Sequence, residues 1–115
     1  MAVLEYEKGC SLVKTTDVER GGFLRRQLVI TGSQATVEMK PLEQGKEDAL
    51  QTRWVEYRNE AWSDPGEQGV VGPFDRYDAM MAAFAAMVRG EIKNPYTYDY
   101  ELKLYETVLT AAGIS

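Results

Sequence analysis

The residues able to do chemistry in this chain are carboxylates and little else. Glu5 and Glu7 stand two apart, which puts both on one face of a strand, and Asp75 and Asp78 stand three apart, one turn of a helix. Two carboxylates can divide acid–base work between them, one giving and one accepting a proton. Neither pair has a histidine or lysine at a spacing suited to relaying that proton, and the chain contains no histidine at all. Simpler roles serve both pairs: a solvated strand face for the first, and complementing the positive end of a helix for the second.

Gly66, Gly69 and Gly72 form the one glycine cluster that could suggest a phosphate cradle. The cluster follows no clear strand, lacks dinucleotide-binding spacing, and the next helical pattern begins after Pro73 rather than on the glycines. It reads as loop punctuation. Cys10 is the single cysteine; with no histidine to activate it, a small buried hydrophobe is the expected role. Zinc sites draw on histidine and several cysteines, so no metal ligands are expected. No catalytic, cofactor-binding or metal residue is therefore assigned.

Composition points the same way. A chain of 115 residues, 44% hydrophobic and 27% charged, suits one globular domain. The net charge of -5 gives no reason to expect nucleic acid, and the one basic dipeptide, Arg25 and Arg26, splits across the two faces of a strand. A lone cysteine fits a reducing compartment, and no apolar run is long enough for a bilayer, so a cytoplasmic protein away from membranes is expected.

The elements that must position these residues are strands first and helices last. Ala2, Leu4 and Tyr6 alternate with Val3, Glu5 and Glu7, Lys8 and Gly9 turn the chain, and residues 10–18 return as a β-branched strand. Residues 24–31 read as a third strand, turned at Gly32 and Ser33 into a fourth over residues 35–40 that Pro41 stops. Residues 42–50 read as a charged mobile loop, 51–58 as a fifth strand, and 59–73 as a second loop. Beyond Pro73 the period changes. Tyr77, Met80, Met81, Phe84, Met87 and Val88 fall on one helical stripe ending at Gly90. A second helix starts at a Thr97 cap, carries Leu102, Tyr105 and Leu109, and ends at Gly113.

The fold expected is α+β: a mostly antiparallel open sheet of about five strands with two C-terminal helices packed on one face. Leu28, Ile30, Val37 and Met39 belong to the face under the helices. The opposite face carries Val13, Phe23, Val29 and Trp54 among polar Gln27 and Thr36, a mixture suited to a partner, so homo-oligomerisation through that face is expected.

Three segments carry a family resemblance: RRQLVITGSQATVEMKPLE over residues 25–43, DRYDAMMAAF over 75–84, and VRGEIKNPYTYDYE over 88–101. In order and spacing they resemble the C-terminal domain of the Gfo/Idh/MocA oxidoreductases, the glucose-fructose oxidoreductase and inositol dehydrogenase family, over most of the chain. The resemblance implies a parent enzyme with an N-terminal Rossmann domain for NAD or NADP, and a C-terminal domain whose open sheet shapes the substrate pocket and pairs subunits. The family's glycine fingerprint, its Glu-Lys-Pro lysine motif and its catalytic Asp and His are missing here, so this chain alone is implied to be inert. Ala35 departs from the glycine the family often has after the turn. Tyr77 matches an aromatic near the substrate pocket, although its spacing to Met81 and Phe84 also explains it as a stripe residue. The alternative from another class is a free-standing small binding or assembly module.

Overall fold

The computed structural model describes residues 1–114. Its elements are β1 (Ala2–Tyr6), β2 (Gly9–Val13), α1 (Gly22–Arg25), β3 (Leu28–Thr31), β4 (Thr36–Met39), β5 (Gln44–Lys46), β6 (Ala49–Tyr57), β7 (Glu67–Phe74), α2 (Asp78–Val88) and α3 (Tyr98–Ala111). The class is α+β, with a mostly antiparallel five-stranded sheet and two C-terminal helices. The chain divides into two units, Met1–Asp17 with Phe84–Ser115, and Val18–Ala83.

In the first unit, β1 and β2 form an antiparallel hairpin in register from Tyr6 opposite Gly9 to Ala2 opposite Val13; the turn is Glu7 and Lys8, one residue earlier than expected, because Gly9 is already extended as the first residue of β2. The expected alternation holds for Ala2 and Leu4, which are half-buried, against Val3 and Glu5, which are exposed. Helix α3 lies against β1. It is capped as its sequence requires: the Thr97 hydroxyl accepts from the Tyr100 amide at 3.2 Å, with Asp99 and Glu101 in the first turn. At its far end the Ile114 amide reaches back 2.9 Å to the Leu109 carbonyl around Gly113.

In the second unit, the sheet runs β3, β4, β6 and β5, with β7 also paired to β6, and every pairing is antiparallel. The five strands are not the five expected. The β1–β2 hairpin forms its own two-stranded sheet, and its place is taken by β5 and β7, which lie in segments that read as loops. Charge concealed β5: Glu47 and Asp48 form the two-residue turn between Lys46 and Ala49. Residues 24–31 also begin differently, because the chain makes one helical turn, α1, before β3 starts at Leu28. The β2 strand stops at Val13, five residues before its expected end at Val18.

Glycines concealed β7. A Cβ at Gly69 would stand 2.6 Å from the indole of Trp54, so the bare backbone is what lets the ring lie across the strand. Gly72 has φ +129, and a Cβ there would stand 2.6 Å from the Leu50 carbonyl oxygen, at the register shift between Leu50 and Thr52. Leu50, 6% exposed, is the buried hydrophobic residue of the described chain, and it pairs with Gly45 on one side and Phe74 on the other.

The shared face of Leu28, Ile30, Val37 and Met39 is as expected, since Leu28 pairs with Met39 and Ile30 with Val37. Their burial is not. Leu28 and Ile30 are 45% and 55% exposed, because β3 is an edge strand with β4 as its one neighbour, and Val37 and Met39 are half-buried. Met80, Met81, Phe84 and Cys10, expected in a core, are exposed as well.

Candidate functional site

Cross-strand pairing sorts the five-stranded sheet into two faces, since residues directly opposite share a face. One row runs Leu28, Met39, Trp54 and Gly69, with Ile30, Val37 and Glu56 beside it and Val71 opposite Thr52. This face is chiefly apolar. The other row runs Val29, Glu38, Val55 and Gln68, flanked by Thr31, Thr36 and Tyr57 on one side and by Arg53 opposite Val70 on the other. Val29 and Val70 are exposed among these polar neighbours.

The residues expected to form one oligomerisation face are only partly brought together. Val29 and Thr36 share the mixed face. Trp54 does not: it stands opposite Met39 and so belongs to the apolar face with Leu28 and Ile30. Alternation within a strand was legible, but not the offset between strands, and the one-residue difference reverses the face. Val13 ends β2, in the separate hairpin sheet, where no five-stranded face includes it. Phe23 lies in α1, and Gln27 connects α1 to β3.

Tyr77 precedes α2 and is exposed rather than seated in a helix stripe. Its amide donates to the Asp75 carboxylate at 2.7 Å, and the Asp78 amide donates to the same oxygen at 3.2 Å. Asp75 thus works as a helix cap, in keeping with the dipole role expected of it. The Glu5 carboxylate is exposed on the hairpin.

A cluster that the sequence did not announce lies next to Tyr77. Glu43, from the segment between β4 and β5, accepts from both Arg26 and Arg76. Arg76 Nε donates to Oε1 at 3.0 Å and its Nη2 to Oε2 at 2.5 Å; Arg26 Nη1 donates to Oε2 at 3.0 Å. Each arginine also faces an aromatic ring, Arg26 over Phe23 at 4.6 Å and Arg76 over Tyr77 at 5.9 Å. Three residues far apart in sequence tie together the segment before β3, the segment leading into β5 and the approach to α2. No local pattern signals such a cluster, although Arg26, Glu43 and Arg76 all lie in the segments that carry the resemblance.

The hydrogen bond from Arg76 holds the Glu43 carboxyl below the ordinary glutamate value of 4.5, against partial burial that acts the other way, and the charges of Arg76 and Arg26 add to the lowering. Glu43 in turn raises Arg76. A lowered folded-state value means that the stabilisation from Glu43 is complete above pH 4.5 and is lost as pH falls through the folded value. The urea midpoint of the wild-type chain is therefore expected to exceed that of Glu43→Gln at pH 7, with the gap closing as pH falls below 4.5 and through the lowered folded-state value. A gap independent of pH would show that the carboxylate charge contributes nothing.

The residues present do not form a dinucleotide cradle. Gly69 and Gly72 lie within β7, against the Trp54 ring and the Leu50 carbonyl, not at a strand-to-helix turn whose amides could meet a pyrophosphate. None of the helices in the described residues is long and apolar enough to cross a membrane. Comparison of the chain with protein-family models, with curated proteins and with solved structures gives no match.

Proposed function

We propose that this chain is the C-terminal substrate and oligomerisation domain of an NAD(P)-dependent oxidoreductase of the Gfo/Idh/MocA type, inert by itself. The observation that supports this reading is a sheet with exposed apolar residues on both faces: Leu28, Ile30 and Val71 on one, Val29 and Val70 on the other. An antiparallel sheet commonly turns one polar face to water. Apolar exposure on both sides suits a domain that meets two partners, the Rossmann half of its own parent and a second subunit. The mixed face around Val29 and Thr36 fits the subunit contact, where polar and apolar groups alternate as at interfaces between folded partners. The chemistry of hydride transfer belongs to the cofactor and to the half that binds it.

Two measurements test the reading. Titration calorimetry of the isolated chain with NADH and NADPH should give no saturable heat; binding of either at micromolar concentration would overturn the domain assignment. Sedimentation equilibrium should show self-association that Val29→Lys weakens at least about tenfold, a change of roughly 1.4 kcal/mol. Association indifferent to Val29→Lys would remove the mixed face from the assembly.

A further inference from the structure

Two cations, Lys40 and Arg53, stand side by side where the pairing of β4 with β6 ends. The Lys40 amide donates to the Arg53 carbonyl at 3.0 Å, and the Arg53 amide donates to the Pro41 carbonyl at 3.2 Å, so two residues on one strand oppose one on the other. Such a bulge re-aims a side chain at the point where a regular ladder stops. Arg53 pairs on its other side with Val70 of β7, which completes a row of Lys40, Arg53 and Val70 on the mixed face. Side chains directly opposite on neighbouring strands begin about 4.5 to 5.5 Å apart, and like charges at that spacing are destabilising.

Among the described residues, no ion pair includes Lys40 or Arg53. Glu38 is the acid beside them by register: it lies opposite Val55, diagonal to Arg53, and forms no ion pair either. Both cations border a depression of ≈ 290 Å³ that Val55, Gln68 and Val70 also line, all within the second unit. That volume is close to the lower limit of about 300 Å³ for small-molecule sites. Gln68 Nε2 gives one hydrogen to the Pro65 carbonyl at 3.3 Å and retains a second. Val55 is half-buried and Val70 exposed, so the depression has an apolar side next to its cationic one. It lies at the end of the mixed face away from Thr36 and Tyr57.

We infer that this depression binds a small phosphate monoester. Arg53 offers a planar fork of N–H donors for two phosphoryl oxygens, Lys40 a compact charge for the third, and Gln68 a further amide donor. Val55 and Val70 meet the carbon next to the ester oxygen. A phosphate monoester carries a charge of about -1.5 to -2 at pH 7, which balances two cations where a carboxylate balances one. Glu38 limits the ligand to one compact group, because the next charge of an extended polyanion would fall near its carboxylate. The anion is held by side chains on three adjacent strand segments, not by glycine amides, so the absence of a dinucleotide cradle does not bear on it. The site goes beyond the oxidoreductase reading and does not rest on it.

Titration of the isotope-labelled chain with phenyl phosphate, followed by amide NMR shifts at constant ionic strength, tests the site. Saturable shifts are expected at Lys40, Arg53, Val55, Gln68 and Val70, with half-saturation at millimolar concentration. Inorganic phosphate should shift the same residues at least about fourfold more weakly, the factor for one buried methylene, since it brings no carbon to Val55 and Val70. Lys40→Met and Arg53→Met should each weaken phenyl phosphate at least about tenfold, the loss of one charge-assisted contact. Lys46→Met, which removes a cation from β5 outside the depression, should leave binding unchanged. In phosphate-free buffer Lys40→Met should be at least as stable as the wild type, because it removes a like charge. A less stable Lys40→Met would show that the lysine is already paired and would overturn the inference. Shifts that rise without saturating, or that spread over the other lysines and arginines, would mean an adventitious ion only. Saturable binding at these residues that neither Lys40→Met nor Arg53→Met weakens would overturn the assignment of the two cations as its anchors.

Discussion

Leu50→Ala should lower the stability of the chain by about 2 to 5 kcal/mol, the range for deleting most of a buried leucine side chain. Leu50 is 6% exposed and stands where three strands meet, β6 itself, β5 through Gly45 and β7 through Phe74. It also sits at the register shift in the β6–β7 pairing, so the cavity left by alanine would fall where backbone pairing is already interrupted. Domains are stable by only about 5 to 15 kcal/mol, so this one truncation removes a large share of the total. Ile30→Ala is the control. With its side chain 55% exposed on an edge strand, it should change the urea midpoint by an amount near the roughly 0.5 kcal/mol typical of surface sites, measured under conditions where the chain is monomeric. An Ile30→Ala loss equal to that of Leu50→Ala would show that the β3 face is covered in solution.

Why Leu50 escaped notice explains much of what the sequence could and could not convey. It follows Lys46, Glu47 and Asp48 and precedes a polar pair, so its surroundings read as a charged loop. Those charges belong to a two-residue turn, and a turn makes the strands on either side inevitable neighbours. The readings that succeeded rest on interactions within a few residues: the existence of the β1–β2 hairpin, though its turn lies at Glu7 and Lys8 and not at Lys8 and Gly9, the Thr97 cap, and the termini of α2 and α3 at Gly90 and Gly113. Pairing partners within β3 and β4 were also legible, because a short turn at Gly32 and Ser33 sets the register. What failed was every property that depends on contacts across long separations. The face of Trp54 follows from its offset to Met39, and the Arg26, Glu43 and Arg76 cluster joins residues up to 50 positions apart in the chain.

Burial failed for a related reason. A helical stripe such as Met80, Met81 and Phe84 states which side chains share a side, not whether anything lies against them. The same holds for Leu28 and Ile30 on β3. Periodicity reports a face, and only a partner makes the face a core. The carboxylates that could have done acid–base chemistry resolved in the opposite direction. Asp75 became a helix cap and Glu43, which no pattern singled out, became the charged centre of the second unit.

Gly69→Ala should destabilise the chain by about 1 to 3 kcal/mol, although the same change in an open strand would stabilise it by roughly 0.5 to 1 kcal/mol. The sign is set by Trp54. A methyl group at position 69 would meet three atoms of the indole at 2.6 to 2.7 Å, closer than any real contact, so the ring must rotate away from β7. Trp54 is half-buried in the row of Leu28 and Met39, and moving it uncovers that row. Two readouts separate this account from a general weakening of the strand. Tryptophan emission should shift to longer wavelength in Gly69→Ala, measured in a Trp62→Phe background because Trp62 is fully exposed and would mask the change. In a Trp54→Ala background the steric conflict is gone, and Gly69→Ala should then be neutral or stabilising, giving a coupling between the two positions of at least about 1 kcal/mol in the double-mutant cycle. If Gly69→Ala costs the same with and without the indole, the glycine is needed for its backbone alone, and the ring does not determine why this strand carries a bare position opposite Trp54.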